Sequence, residues 1–255
     1  MIFIKKRVLI RKIFSYDVID RIGRELMKKF ILLLFSFFLL CSCHTNDSTI
    51  NGVVYANVYT HYKTLQPYIC LTFDDGPDQV QTPKVLDLLK KYGIKATFFV
   101  LGEEVEYQKE MLKKVVEAGH EIGNHFFKHD NIHKLTEQEI RESIVKNNEL
   151  IKEAVGVTPK LVRPPYGIVT DTLKKVCKEL DMDIILWNKD SKDWDKTPDS
   201  TIIKNMLKSP ANGDIMLFHD GSKTYTNTLS SLDVIIPSLQ KKKFEFVTIS
   251  NLLDQ

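Results

Sequence analysis

From Tyr68 onward the chain alternates short apolar runs with longer stretches of helical periodicity, and no long break interrupts the alternation. Runs over Tyr68–Phe73, Ala96–Val100, Asp183–Trp187, Asp214–Phe218 and Phe244–Ile249 read as strands, with a shorter one entering Arg163. Between them the pattern predicts helices over Thr82–Tyr92, Tyr107–Ala118, Glu137–Val155, Asp171–Leu180, Pro198–Lys208 and Thr226–Leu239. Val85, Leu86, Leu88 and Leu89 form the apolar stripe of the first helix, Gly119 stops the second, and Thr136 with Glu139 makes a capping box for the third. About seven βα-like units in series predict one α/β domain built on parallel strands, rather than two domains. A chain of 255 residues, 43% hydrophobic, can bury one sizeable core.

The ends of the strand runs carry the chemistry. Tyr68-Ile69-Cys70-Leu71 leads into Thr72-Phe73-Asp74-Asp75-Gly76-Pro77, which places two adjacent carboxylates at a strand's C-terminal end, just before a turn. Side chains alternate along a strand, so both can face one opening only if the chain twists as it leaves. Two like charges in a cleft are costly unless a cation lies between them. In isolation the pair would equally suit an Asp-Asp-Gly hairpin turn.

Further along stands Gly123-Asn124-His125-Phe126-Phe127-Lys128-His129, with two histidines four apart. On a helix or tight loop that spacing puts both imidazoles on one face. Alone they could be two unrelated polar side chains. With Asp75 as a third ligand they make a two-histidine, one-carboxylate set with a position left open, a catalytic zinc arrangement. Leu161-Val162-Arg163-Pro164-Pro165-Tyr166-Gly167 is stiffened by its prolines. Ile184-Ile185-Leu186-Trp187 runs into Asn188-Lys189-Asp190-Ser191-Lys192-Asp193-Trp194, and Asp214 to Phe218 runs into His219-Asp220-Gly221. Singly, the arginine segment reads as a structural turn and Trp194 as core. Together they repeat one theme, ionisable residues at strand C-termini, where parallel barrels and open α/β sheets keep their active sites.

These five segments, in this order, resemble those of the polysaccharide deacetylase family (carbohydrate esterase family 4, the NodB-type domain), over about Ile69 to Leu253. The resemblance implies a distorted (β/α)7 barrel, its parallel strands surrounded by helices. It implies Asp74 as catalytic base and Asp75, His125 and His129 as ligands of a divalent metal, Zn2+ foremost, with Co2+, Ni2+ or Mn2+ able to take the same site. Arg163 would orient the base and the backbone N–H at Tyr166 would help form the oxyanion hole. His219 would be the acid, with Asp190 as the carboxylate that tunes it. Trp194 and Leu217 would wall the acetyl pocket, with Pro164 beside them as a substrate contact. The chain departs from the family's pattern at Phe126, where a Ser or Thr ordinarily follows the first metal histidine and helps to hold the metal loop.

The activity so implied is hydrolysis of N-acetyl groups on an N-acetylglucosamine-containing polysaccharide, peptidoglycan first. Chitooligosaccharide, exopolysaccharide or acetylxylan are alternatives, as is a catalytically silent glycan-binding module of the same fold. A net charge of +3 gives no ground for a nucleic-acid partner, and a monomer is expected. Met27-Lys28-Lys29, the apolar run Phe30 to Leu40 and then Cys41-Ser42-Cys43 read as a signal peptide. Leu40-Cys41-Ser42-Cys43 resembles a bacterial lipobox, with Cys43 lipidated and the protein held on the membrane at the cell envelope. The run is short for a transmembrane span, which needs about 20 residues. The expected organisation is an over-extended start over 1–26, a signal peptide over 27–43, a tether over 44–65 and the catalytic domain over 66–255. Cys70 and Cys177, on a strand and a helix, are expected to be buried free thiols.

Overall fold

The computed structural model describes residues 48–50, 53–221 and 226–255, so the segments expected as an over-extended start and a signal peptide, Cys43 included, lie outside the described residues. Eleven strands are present among the described residues: β1 (Ser48–Ile50), β2 (Val53–Tyr55), β3 (Val58–Tyr59), β4 (Tyr68–Asp74), β5 (Thr97–Val100), β6 (Glu121–Asn124), β7 (Leu161–Val162), β8 (Asp183–Ile185), β9 (Lys189–Asp190), β10 (Asp214–His219) and β11 (Glu245–Phe246). The first two form a separate antiparallel pair. The other nine make one sheet in the order β3-β8-β7-β6-β5-β4-β10-β9, with β11 also on β4, and every pairing in it is parallel.

Parallel strands covered on both faces read as continuous apolar runs rather than alternating ones. Accordingly β4, apart from its first residue, and all of β5 are buried. Residues 186–188 alone part β8 from β9, so one run of chain pairs with β7 at one side and with β10 at the other. The sheet thereby curls into an incomplete barrel ringed by helices.

The helices are α1 (Gln81–Tyr92), α2 (Gly102–Tyr107), α3 (Lys109–Glu117), α4 (Glu137–Val155), α5 (Asp171–Glu179), α6 (Asp199–Leu207), α7 (Thr226–Lys241) and α8 (Ile249–Leu253). Gly93 and Gly156 end α1 and α4 in the left-handed conformation, with φ of 65° and 73°, which glycine adopts without a Cβ clash. The capping box on α4 forms as expected: the Thr136 hydroxyl accepts from the Glu139 N–H, and the Glu139 carboxylate accepts from the Thr136 N–H at 2.7 Å. The main core packs Phe73, Phe98 and Phe218 against α1 and α7, the rings of Phe73 and Phe98 stacking at 5.0 Å.

Three expectations are corrected. The helix expected over Tyr107–Ala118 is α3, which starts only at Lys109 because the chain breaks at Gln108, and the short α2 before that break was not expected. The run Phe244–Ile249 ends early as strand, because the Thr248 hydroxyl caps α8. The segment 44–65 is not a tether throughout: β3 belongs to the large sheet, Ala56 is buried, and its N–H donates to the Lys174 carbonyl at 3.0 Å. Val58 and Tyr59 are too short a pair to show a period in a polar stretch.

Candidate active site

Because all the sheet's pairings are parallel, the strands' C-terminal ends lie along one rim. Asp74 ends β4 in register with His219 at the end of β10. His125 follows β6 and Arg163 follows β7, and the Arg163 N–H donates to the Asn124 carbonyl at 2.9 Å. A cavity of about 540 Å³ opens at this rim, and Asp74, Asp75, His125, His129, Tyr166 and His219 all line it. Pro164, Asp190, Trp194 and Leu217, expected as site residues too, also line it.

Arg163 lies beneath, fully buried, with every nitrogen engaged. Its Nη1 donates to Asp74 Oδ1 at 2.7 Å and to Thr72 Oγ1 at 2.8 Å. Its Nε and Nη2 donate to the carbonyls of Ile185 and Leu186. A buried charge is tolerable only when so paired. One oxygen of Asp74 is therefore committed to the guanidinium. The other, Oδ2, lies 3.9 Å from His125 Nε2 and is left for the cavity.

The twisted exit that two adjacent carboxylates require is present: Asp75 takes a left-handed conformation, φ 73°, so it turns toward the same opening as Asp74. Gly76 and Gly221 make room for this turn. A Cβ on Gly76 would lie 2.5 Å from Asp220 Oδ1, and one on Gly221 would lie 2.6 Å from the Asp75 Cβ. Asp75 Oδ1 stands 3.5 Å from His125 Nε2 and 3.8 Å from His129 Nε2. It is buried and has no hydrogen-bond donor among the described residues.

The donor atoms of Asp75, His125 and His129 all lie within 4.8 Å of one another, so a small closing shift would let them share one ion at roughly 2.0–2.2 Å from each. His125 Nδ1 sits 2.7 Å from the Arg163 carbonyl, which can only accept. Nδ1 therefore carries a proton and donates to that carbonyl, which turns Nε2 toward Asp75 as the nitrogen that would take a metal. An orphaned carboxylate oxygen facing two imidazoles fits a divalent cation. Burial alone would push the Asp75 carboxyl up, but its contact with His125 and the charges of His219 and His129 hold it well below the usual carboxylate range.

On the strand beside Asp74 stands His219. Its Nδ1 pairs with Asp193 Oδ1 at 2.7 Å, and its backbone N–H donates to Asp193 Oδ2 at 3.0 Å. Ser191 and Thr228 hydroxyls also donate to this carboxylate, which is buried. Burial by itself would favour the neutral ring; the hydrogen bond and charge of Asp193 overcome it and raise His219 to about 9. The carboxylate partner of the histidine is thus Asp193 and not Asp190, which is a correction. Asp190 ends β9 and accepts instead from the Lys192 N–H at 2.8 Å, and the 3-10 turn over Asp193–Asp195 swings the later carboxylate under the ring.

Tyr166 also has a left-handed backbone, φ 59°, and sets its ring edge-on to His129 at 4.4 Å. Trp187 adds a wall that the sequence reading did not assign, as do Leu101, Glu103 and Glu104. A signal for Trp187 existed, since it ends an apolar run beside Asn188, but any core aromatic looks the same. Asp220 is buried with its Oδ2 accepting from the Thr82 hydroxyl at 2.6 Å. Burial, with the charges of Asp75 and Asp74, pushes it up to about 7 against the lowering effect of that hydrogen bond.

Comparison with known proteins agrees with this geometry. The polysaccharide deacetylase family matches residues 61–185. Two peptidoglycan-N-acetylglucosamine deacetylases of Bacillus cereus are 39% and 37% identical to the chain, each over 72% of it, covering 67% and 87% of their own lengths. Among solved structures, the Bc1960 peptidoglycan N-acetylglucosamine deacetylase superposes with a TM-score of 0.75 at 37% identity, covering 78% of this chain and 92% of that one.

Proposed function

The chain belongs to the polysaccharide deacetylase family, and from that membership we propose that it hydrolyses the N-acetyl groups of an N-acetylglucosamine-containing polysaccharide, peptidoglycan first, releasing acetate. The observation that carries the reading is the convergence on one cavity of a three-donor metal set, a carboxylate held by arginine and an imidazole backed by a carboxylate. The relatives acting on peptidoglycan support the choice of glycan.

Asp75, His125 and His129 would hold the ion, and their donor set suits Zn2+, with Co2+, Ni2+ and Mn2+ as substitutes. Such an ion supplies Lewis acidity, lowering the pKa of water and polarising the acetamide carbonyl. The remaining chemistry belongs to the side chains. Asp74, one oxygen pinned by Arg163, takes the proton of the attacking water on Oδ2. The backbone N–H at Tyr166 stabilises the oxyanion, a donation typically worth about 3–4 kcal/mol. His219, protonated at neutral pH, gives its proton to the leaving amine. Base and acid have separate partners, Arg163 for Asp74 and Asp193 for His219. Trp194, Leu217 and Pro164, which line the cavity, would wall the acetyl group.

The Leu40-Cys41-Ser42-Cys43 sequence supports a lipid anchor on Cys43 that keeps the enzyme at the envelope, beside its substrate. An intact mass retaining residues before Cys43 would contradict this. For the activity, acetate release is measured from purified peptidoglycan, chitooligosaccharide and acetylxylan, with and without a chelator. Release from peptidoglycan that stops on chelation and returns with zinc is expected. Release indifferent to chelation would sink the mechanism, and none from any glycan would favour a silent binding module.

A further inference from the structure

Phe126 stands where a hydroxyl would otherwise help to hold the metal loop, yet the loop is not left loose. The Phe126 side chain is fully buried in an apolar cluster with Ile132, Ile140, Ile144 and Val162. Its backbone is left-handed, φ 66°, an unfavourable conformation that its surroundings have to hold. The polar groups around it are satisfied from elsewhere. The Phe126 N–H donates to Asn124 Oδ1 at 2.7 Å, and the Phe127 N–H donates to the Ser143 hydroxyl at 2.9 Å.

The carbonyls are held from α4. Asn147, one turn beyond Ser143 and fully buried, donates from Nδ2 to Val100 O at 2.8 Å and to Phe126 O at 2.9 Å. The Val100 carbonyl is also the acceptor for the His125 N–H at 2.9 Å. One amide group therefore bridges the end of β5 to the residue after His125, and both atoms it grips flank the ligand. Its Oδ1 has no partner among the described residues, so the side chain is retained in the core for what its Nδ2 donates. Gly102 lets the three segments close up: a Cβ there would lie 2.6 Å from the Phe127 ring and 3.2 Å from the Asn147 Cβ.

We propose that Asn147 is a positioning residue for the metal centre, its amide clamping the backbone on both sides of His125 in place of the hydroxyl that Phe126 displaces. The inference rests on the reading of Asp75, His125 and His129 as metal ligands. Groups that orient ligands in this way typically change metal affinity by about 10–100-fold when removed. Leucine is close to asparagine in shape and removes the donor. Val100 O keeps the His125 N–H and Phe126 O keeps the Gly102 N–H, so the fold has other ties at both places.

The test is the zinc dissociation constant of the full chain, measured by competition with a chromophoric chelator, alongside thermal unfolding of the metal-free protein. Asn147→Leu should bind zinc about tenfold or more weakly. Thr136→Ala, which weakens the same helix at its far end, should lower the unfolding temperature without weakening zinc binding. Phe126→Thr, which restores a hydroxyl, should lose stability and gain no affinity. Native zinc affinity in Asn147→Leu would overturn the proposal, as would an equal loss in Thr136→Ala. If the leucine variant does not fold, Asn147→Ser keeps a single donor and should show an intermediate loss; native affinity there overturns the idea equally. A native chain that binds no zinc, or Asp75→Ala binding it as well as the native chain, would instead remove the metal-centre reading and this inference with it.

Discussion

The two neighbouring aspartates divide their labour through what each touches. Asp74 is tied to Arg163 and Asp75 to the two imidazoles. Asp74→Asn should therefore abolish turnover while bound metal stays nearly unchanged, whereas Asp75→Ala should lose the metal. Equal metal content in the two purified variants would refute the division. The acid is set by Asp193. With His219 raised to about 9, the protonated ring persists through neutral pH, and kcat/KM should fall as pH rises through about 9. Removing the charge in Asp193→Asn leaves burial opposed only by the lesser effects of Asp74 and Asp75, so the ring's pKa falls and the alkaline limb should move down. Asp190→Asn should leave the limb where it is, and a pH profile shifted by that variant instead would reverse the assignment. Sequence alone could not choose between these carboxylates. They are three residues apart, and only the 3-10 turn at Asp193 decides which one passes beneath the imidazole.

Elements were legible in proportion to their length and to the chemistry of their ends. The nineteen-residue α4 was bounded correctly because its capping box and terminal glycine are written in the residues themselves. Thr136→Ala should cost about 1 kcal/mol, read as a lowered urea midpoint with an unchanged slope; no change would mean that the cap is idle in the intact domain. The short pieces were not legible. The six residues of α2 have no capping side chain at their start, and their backbone N–H groups at Gly102 and Glu103 are satisfied by the carbonyls of Phe126 and Phe127, far along the chain. The two-residue strands β3 and β9 exist only through their neighbours. Local pattern cannot announce structure that tertiary contact creates.

At the scale of the whole molecule, the parallel sheet explains why residues from 74 to 219 meet at all. Each strand delivers its last or next side chain to a common rim, so the family resemblance and the strand-end theme point to the same cavity. Cys70 and Cys177 are buried free thiols, as their places on a strand and a helix imply. What the composition hid was how far the domain extends toward the N-terminus. The short β3 lies alongside β8, where the Ile184 N–H donates to the Asn57 carbonyl at 2.9 Å and the Leu186 N–H to the Tyr59 carbonyl at 2.7 Å. A protein begun at residue 66 would strip that cover and leave β8 with bare amides, a template on which other chains can align. Light scattering should find such a truncation self-associating while one begun at residue 47 stays dispersed. Two residues of strand would then be serving as the selvedge that keeps this fabric from being sewn to its neighbours.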